Sequence, residues 1–191
     1  VVDSKVVGEI YSSSSQIGGF VGLATTLGTG SFYDGNVSMV DIYQNTGSII
    51  GGFAGEITNS TASAILDFGN NRSFGEVNCE FECGGFVGKV LVGNASATVN
   101  IYNSYSKSDV NSSSVSGTAH LGGFGGFLNN SSGGALNITE SFALGNVTAS
   151  SAGKVGGLFG RADYITITDS YYRGTVSGSS AVGGLIGDTT N

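Results

Sequence analysis

Nine asparagines open an Asn-x-Ser/Thr triplet, the acceptor sequence for N-linked glycans, and no triplet contains proline. They are Asn36, Asn59, Asn71, Asn94, Asn111, Asn129, Asn130, Asn137 and Asn146. Occupied acceptors belong to proteins that pass through a secretory pathway, so the triplets predict a secreted or cell-surface glycoprotein with covalent glycans. The alternative is that a chain rich in Ser and Asn forms such triplets without their being used.

The two cysteines, Cys79 and Cys83, are only four residues apart. Two thiols without a neighbouring histidine make a poor zinc site. Two interpretations remain open: a local disulfide formed in an oxidising compartment, or two free thiols with Cys83 packed in the core. A disulfide here would close too small a loop to add much stability.

The remaining chemistry-bearing residues form no recognisable catalytic or metal-binding pattern. Glu76, Glu80 and Glu82 alternate along the chain but lack the spacing of a calcium loop. His120 is the only histidine, and no Ser-His-Asp or Cys-His arrangement can be built around it from the sequence. We therefore predict no catalytic residue, no metal site, no cofactor and no enzymatic activity.

Charge and hydropathy exclude two classes of partner. With 14 acidic and seven basic residues the net charge is −7, so the chain offers no cationic surface for a phosphate backbone and no nucleic-acid partner is expected. No apolar run reaches the ~18 residues that a membrane span requires, so no membrane insertion is expected.

An internal repeat organises the whole chain. A six-residue motif occurs six times, starting at Ile17, Ile50, Cys83, Leu121, Val155 and Val182. It consists of an apolar residue, two glycines, a large apolar residue, a small or apolar residue and a final glycine. A second half-motif of Ser, an aromatic residue and a later β-branched residue alternates with it. We predict a single repeat domain over residues 1–191, with units at roughly 1–22, 31–55, 73–88, 103–126, 140–160 and 169–187 and variable loops between them.

These residues resemble the GLUG-motif repeats of large secreted and surface-attached proteins, adhesins among them. Gly157-Leu158-Phe159-Gly160 and Gly184-Leu185-Ile186-Gly187 match the tetrad that gives the family its name, whereas the first four copies place Phe where Leu is expected. The resemblance implies a repeat architecture at the cell surface. It carries no catalytic motif.

The elements between the motifs are short and alternate apolar and polar residues, as in Ile165–Thr168 and Ala97–Tyr102. This alternation predicts strands, and the absence of proline suits strands that are paired on both sides. A unit of this kind cannot bury its apolar face alone, whereas stacked copies can. We therefore predict an all-β fold, a parallel β-solenoid (β-helix) of about six coils with one coil per repeat of about 27–38 residues.

Stacking predicts four columns of equivalent side chains. The residue before the glycine pair gives Ile17, Ile50, Cys83, Leu121, Val155 and Val182, and the residue after it gives Phe20, Phe53, Phe86, Phe124, Leu158 and Leu185. A third column contains Ile10, Val37, Val77, Val110, Val147 and Val176. A fourth, aromatic column contains Phe32, Phe74, Tyr105, Phe142 and Tyr171.

The first and last repeats contain complementary halves of one unit. Either copies of the chain associate head to tail through Val1, Val2, Val6, Leu185 and Ile186, or the chain is one segment of a longer repeat protein. The favoured hypothesis is a structural, non-catalytic extracellular glycoprotein that self-associates into a filament or surface appendage. The alternative is an adhesin-type module that binds carbohydrate or protein through its loops, with Tyr33, Tyr43, Tyr102, Tyr164 and Tyr172 as candidate contacts.

Overall fold

The protein is an all-β solenoid in which every paired strand is parallel to its neighbours. The computed structural model describes residues 1–26, 28, 30–44, 48–113, 118–150 and 153–189. No helix occurs in these ranges. The prediction of a parallel β-solenoid is confirmed.

The strands are short, and each turn of the solenoid uses four or five of them. Those of the first half are β1 (Lys5–Ser12), β2 (Gln16–Gly18), β3 (Val21–Thr25), β4 (Gly30–Asp34), β5 (Val37–Gln44), β6 (Ile49–Gly51), β7 (Ala54–Asn59), β8 (Ile65–Gly69), β9 (Arg72–Phe74), β10 (Glu76–Cys79), β11 (Glu82–Gly84), β12 (Val87–Val92) and β13 (Thr98–Tyr102). Those of the second half are β14 (Tyr105–Ser106), β15 (Asp109–Ser112), β16 (Ala119–Gly122), β17 (Gly125–Asn129), β18 (Ala135–Thr139), β19 (Phe142–Ala143), β20 (Val147–Ala149), β21 (Gly153–Gly156), β22 (Phe159–Asp163), β23 (Thr166–Thr168), β24 (Tyr171–Tyr172), β25 (Val176–Ser177), β26 (Ala181–Gly183) and β27 (Ile186–Asp188).

Equivalent strands of successive turns form four sheets along the solenoid axis. The wide sheet has ten strands, in which β5 pairs with β1, β9 and β10, and the later turns each contribute two short strands. The second sheet is β2-β6-β11-β16-β21-β26, the third is β27-β22-β17-β12-β7-β3 and the fourth is β23-β18-β13-β8-β4. The chain visits the wide, second, third and fourth sheets in that order and completes about 5 turns, because six copies of the glycine motif delimit five full circuits.

Two of the four predicted columns are present as predicted. Ile17, Ile50 and Cys83 are register partners, and the column continues through Leu121 to Val182. The residues after the glycines are joined by backbone hydrogen bonds from Phe20 through to Leu185. The rings of Phe20, Phe53, Phe86 and Phe124 stack with centroids 4.7–4.9 Å apart.

The other two columns need correction. Ile42, rather than Val37, lies between Ile10 and Val77, because β1 and β5 pair over eight residues with Lys5 opposite Val37. The aromatic column holds Tyr105, Phe142 and Tyr171, with centroids 4.8 and 4.9 Å apart, and Arg72 occupies the next place. Phe74 pairs with Met39 one column away, and Phe32 belongs to the fourth sheet.

These errors come from the corner that precedes the wide sheet. Six equivalent residues there have left-handed φ values of 46–66°, namely Asp3, Gly35, Asn70, Asn103, Glu140 and Asp169. Each precedes a Ser or Asn, so Asn36 and Asn71 are the true equivalents of Ser104 and Ser141. The units predicted to begin at 31 and 73 therefore begin, by register, at Asn36 and Asn71.

The interior consists of two apolar clusters separated by small residues. One cluster contains Phe53, Phe86 and Phe124, and the other contains Ile50, Cys83 and Leu121. Between them, the second glycine of each pair faces the wide sheet, and a Cβ on Gly52 would collide with Ser73 Oγ and the carbonyl oxygen of Gly85. The glycine pair is therefore required by the close approach of two sheets.

Candidate interaction surfaces

A buried polar ladder follows the left-handed corner. Its members, Ser4, Asn36, Asn71, Ser104, Ser141 and Ser170, are register equivalents, and the backbone N–H of each donates to the side-chain oxygen of the next. The corner bends the chain away from the sheet, so these N–H groups have no strand partner and require a side-chain acceptor. Asn and Ser both supply one.

The ladder places two predicted glycan acceptors in the interior. Asn36 and Asn71 are fully buried, and their Nδ2 atoms donate to Val1 O, Asn71 Oδ1 and Tyr33 O. Asn59 and Asn130 lie buried at the corner between the third and fourth sheets, where each Nδ2 atom donates to two backbone carbonyls. The expectation of a glycan at these four positions disagrees with their burial, because a glycosylated Nδ2 atom would lack both the space and its partners.

Two further acceptors belong to ladders on the surface. Asn137 Nδ2 donates to Asn100 Oδ1, which lies above Asp67 on the outer face of the fourth sheet. Asn111 Nδ2 donates to Glu76 Oε1 on the wide sheet. Both nitrogens are half-buried and engaged, so a glycan would break a hydrogen bond at each position.

Within the described part of the chain, the Nδ2 atoms of the remaining three acceptors have no hydrogen-bond partner. Asn94 and Asn129 each accept a hydrogen bond from the backbone N–H two residues later, at 3.0 and 2.7 Å, which turns the amide group outward. Asn146 is exposed and accepts from Thr175 N. Asn94, Asn129 and Asn146 are therefore the acceptors whose geometry suits an N-linked glycan.

Cys79 and Cys83 form a disulfide. The bond joins the end of β10 in the wide sheet to β11 in the second sheet. Cys83 lies fully buried in its aliphatic column, between Ile50 and Leu121. The sulfur pair therefore extends the apolar cluster rather than forming a metal site.

The second and third sheets meet along a crease that runs parallel to the axis. Their backbones touch there: a Cβ on Gly51 would collide with Ala54 O, and one on Gly55 would lie 2.8 Å from backbone atoms of Ile17. The first and last glycines of the repeated motif line this crease, which explains why both recur. Outward-facing side chains of the second and third sheets that lie next to the crease point toward one another.

Two rows of side chains flank the crease, one from each sheet. The second sheet contributes Gln16, Ile49, Glu82, His120, Lys154 and Ala181, and the third contributes Leu23, Glu56, Lys89, Phe127, Arg161 and Asp188.

The two rows interact across the crease. Gln16 donates to Glu56 at 3.1 Å, Lys89 pairs with Glu82 at 3.6 Å, and His120 stacks on Phe127 at 4.9 Å. All ion pairs found between described residues lie here, including Arg161 with Asp163 and Asp188.

The crease contains two desolvated titratable groups, Glu82 and His120. Burial raises the pKa of Glu82, although Lys89 beside it acts in the opposite direction. Burial lowers the pKa of His120 to about 4, and Lys154 and Arg161 add to that effect. Repeat alignment could have revealed these rows, because each member precedes or follows the glycine motif at a fixed distance.

The alternating glutamates of the sequence, for which no metal site is predicted, are dispersed by the fold. Glu76 faces outward from the wide sheet with Asn111, whereas Glu82 pairs with Lys89 in the crease. Asp67 accepts a hydrogen bond from Asn100 on the fourth sheet. Within the described ranges no three His, Cys, Asp or Glu side chains are close enough to hold one metal ion.

The two end faces of the solenoid expose apolar columns. At the last turn Val182 is 45% and Leu185 41% exposed, whereas Val155 and Leu158, one turn earlier, are fully buried. At the first turn Val1 and Val2 are 61% and 51% exposed, and Val6 is half-exposed. Ile186 is also partly exposed.

Comparison with known proteins found no relative of this chain. No protein family, no curated protein and no solved structure matches the chain. In the part of the chain that the structure describes, no helix has the length and apolar character needed to cross a membrane.

Proposed function

We propose that this chain is a non-catalytic structural module that extends a solenoid by stacking its end faces on those of further copies, head to tail. The proposal rests on the observation that the two end faces expose equivalent columns of side chains. The last-turn strands β26 and β27 present the same columns and the same strand direction as the first-turn strands β2 and β3.

Stacking of two copies would pair the free backbone groups and bury the apolar side chains of both end faces. Strands β2, β3, β26 and β27 each pair on one side only within the described chain, which leaves a row of backbone N–H and C=O groups without a ladder partner. Burial of an exposed Val or Leu side chain contributes roughly 1.5–3 kcal/mol. Val182, Leu185 and Ile186 would join the columns that begin at Ile17, Phe20 and Val21 of the next copy. Because this head-to-tail contact does not close into a ring, it generates a filament in which all copies point in the same direction.

A charge placed in the end-face column tests this proposal. Leu185→Lys should abolish concentration-dependent growth in mass, measured by light scattering, because a lysine would enter an apolar column at the junction. Ile65→Lys is the matched control, since Ile65 is 46% exposed on the side of the fourth sheet. Equal growth in both variants, or no growth of the unmodified protein at any concentration, would overturn end-to-end stacking.

We further propose that the protein is secreted and carries N-linked glycans at Asn94, Asn129 and Asn146. These side chains project from the solenoid, so glycans there would coat its sides without entering the core. Peptide mass spectrometry of folded protein from a glycosylating host should find glycans at these positions and none at Asn36, Asn59, Asn71 and Asn130.

Binding of carbohydrate or protein through the loops is the alternative function. Of its candidate aromatic contacts, Tyr33 and Tyr172 pack against the apolar core. Tyr164 is 47% exposed, and Tyr43 stacks on Tyr11 at the surface. Tyr11 covers one face of the Tyr43 ring, and two of the other candidate rings pack on the core, which makes this the weaker proposal.

A further inference from the structure

The outer face of the wide sheet carries two stripes of opposite charge. The basic stripe consists of Lys5, Arg72, Lys107 and Arg173, and the acidic stripe of Glu9, Asp41, Glu76 and Asp109. The basic stripe contains four of the seven basic residues in the chain. The acidic stripe is a single register column, whereas the basic stripe spans two neighbouring outward-facing columns, with Lys5 and Arg72 in one and Lys107 and Arg173 in the other. Both stripes run along the solenoid axis.

None of these eight side chains forms an ion pair in the described chain, since all its ion pairs lie in the crease. Two of the four cations instead lie over aromatic rings on the same face. Lys107 Nζ is 5.5 Å from the ring centroid of Tyr105, and the Arg72 guanidinium is 5.8 Å from the same centroid. Each of the four carboxylates accepts one hydrogen bond from an uncharged donor, so none of the eight charges has an ionic partner within the described chain.

Apolar side chains lie among the charged stripes. Val7 is 67%, Met39 40% and Tyr11 72% exposed on this face. An exposed apolar surface bordered by unpaired charges is typical of a protein interface. It has the composition of a contact that is steered by charge and stabilised by burial.

We propose that this face binds a second copy of the chain side by side, with the two solenoids parallel and related by a two-fold axis along the solenoid direction. That operation moves each basic stripe over the acidic stripe of the partner. Because the operation leaves each turn at the same height along the axis, residues of the same turn face each other across the contact. Lys5 of one copy therefore lies opposite Glu9 of the other, Arg72 opposite Glu76, and Lys107 opposite Asp109. A two-fold axis across the solenoids would superpose like charges, which excludes the antiparallel arrangement.

This lateral pairing goes beyond end-to-end stacking and uses a different surface. The two contacts are compatible because the lateral axis runs along the filament. The paired chains then extend in the same direction. A glycan on Asn146 would stand on this face one turn beyond Asp109, so pairing and occupancy at Asn146 exclude each other.

The test is sedimentation velocity on the full chain produced in bacteria without glycans, in the Leu185→Lys background to isolate the lateral contact. A species of twice the chain mass is expected at low salt, and its dissociation constant should rise at least about tenfold at high salt. Lys107→Glu or Asp109→Lys alone should weaken the dimer by a similar factor. Their combination should restore it, because the swapped charges face each other again.

Lys154→Glu is the matched control, since it changes net charge as Lys107→Glu does but lies in the crease. Carbodiimide cross-linking of a mixture of ¹⁴N- and ¹⁵N-labelled protein should join Lys107 of one copy to Asp109 of another. A monomer at low salt, or a dimer that the double swap fails to restore, would overturn the lateral pairing while leaving end-to-end stacking untouched.

Discussion

Asn71 illustrates how one buried amide supports three turns of the solenoid. Its Oδ1 atom accepts from Asn36 N, its Nδ2 atom donates to Tyr33 O, and its own N–H donates to Ser104 Oγ. The sequence marks this residue as a glycan acceptor, whereas the fold uses it as a structural side chain. The same ambiguity applies to every Asn-x-Ser/Thr triplet in a solenoid whose corners need side-chain acceptors.

Asn71→Ala should therefore destabilise the protein by about 1–3 kcal/mol, because it leaves a buried donor and a buried acceptor without partners. Asn71→Ser should cost less, since Ser serves in the same place at Ser104. Chemical denaturation measures both, with Asn94→Ala as the surface control. Equal stability of the Ala variant and the unmodified protein would contradict the ladder.

His120 predicts a specific pH dependence of stability. Its pKa is about 4 in the folded protein against 6.5 ordinarily, so between these values the unfolded chain binds more protons. Stability contributed by neutral His120 is therefore present above pH 6.5 and is lost as the pH falls toward 4. His120→Gln should flatten this part of the stability profile.

Glu82 should change the pH dependence of stability in the direction opposite to that of His120. Burial raises its pKa in the folded state, so its contribution is present below its ordinary pKa and is lost as the pH rises through the folded value. Denaturation of Glu82→Gln across the same pH range provides the check. A profile for either variant that runs parallel to that of the unmodified protein would show that the crease does not desolvate the group.

At the level of the elements, the glycine pair determines how closely the wide sheet and the motif strands approach. Gly52→Ala should destabilise by at least about 3 kcal/mol, because the new Cβ meets Ser73 Oγ and a backbone carbonyl that cannot both move away. Gly184→Ala is the matched control, as a Cβ there has no atom within 4 Å in the isolated chain. Thermal unfolding should separate the two variants clearly, and similar melting temperatures would contradict the close approach of the sheets.

The sequence reveals those elements that keep one residue type at each turn. The columns of Ile17 and Phe20 were predictable because an invariant glycine pair marks their register. The corner was not, because Asn36 and Asn71 replace Ser, and a motif that relied on Ser followed by an aromatic residue selected Ser31 and Ser73 instead. The crease rows vary from Gln16 to Lys154 and share only a position, so composition gave no signal for them.

For the whole molecule, we predict assembly along the solenoid axis through end faces that consist of the core columns themselves. No dedicated binding loop is required, because each end face is a cross-section of the same columns. The side faces then determine whether filaments remain single or pair, through the charged stripes of the wide sheet and through glycans beside them.

Electron microscopy of the purified full chain measures end-to-end stacking directly. We predict unbranched fibres with an axial repeat of about 29 Å, because each molecule adds six layers of the second sheet at about 4.8 Å per layer. Discrete particles one molecule long at every concentration would contradict end-to-end stacking of this solenoid.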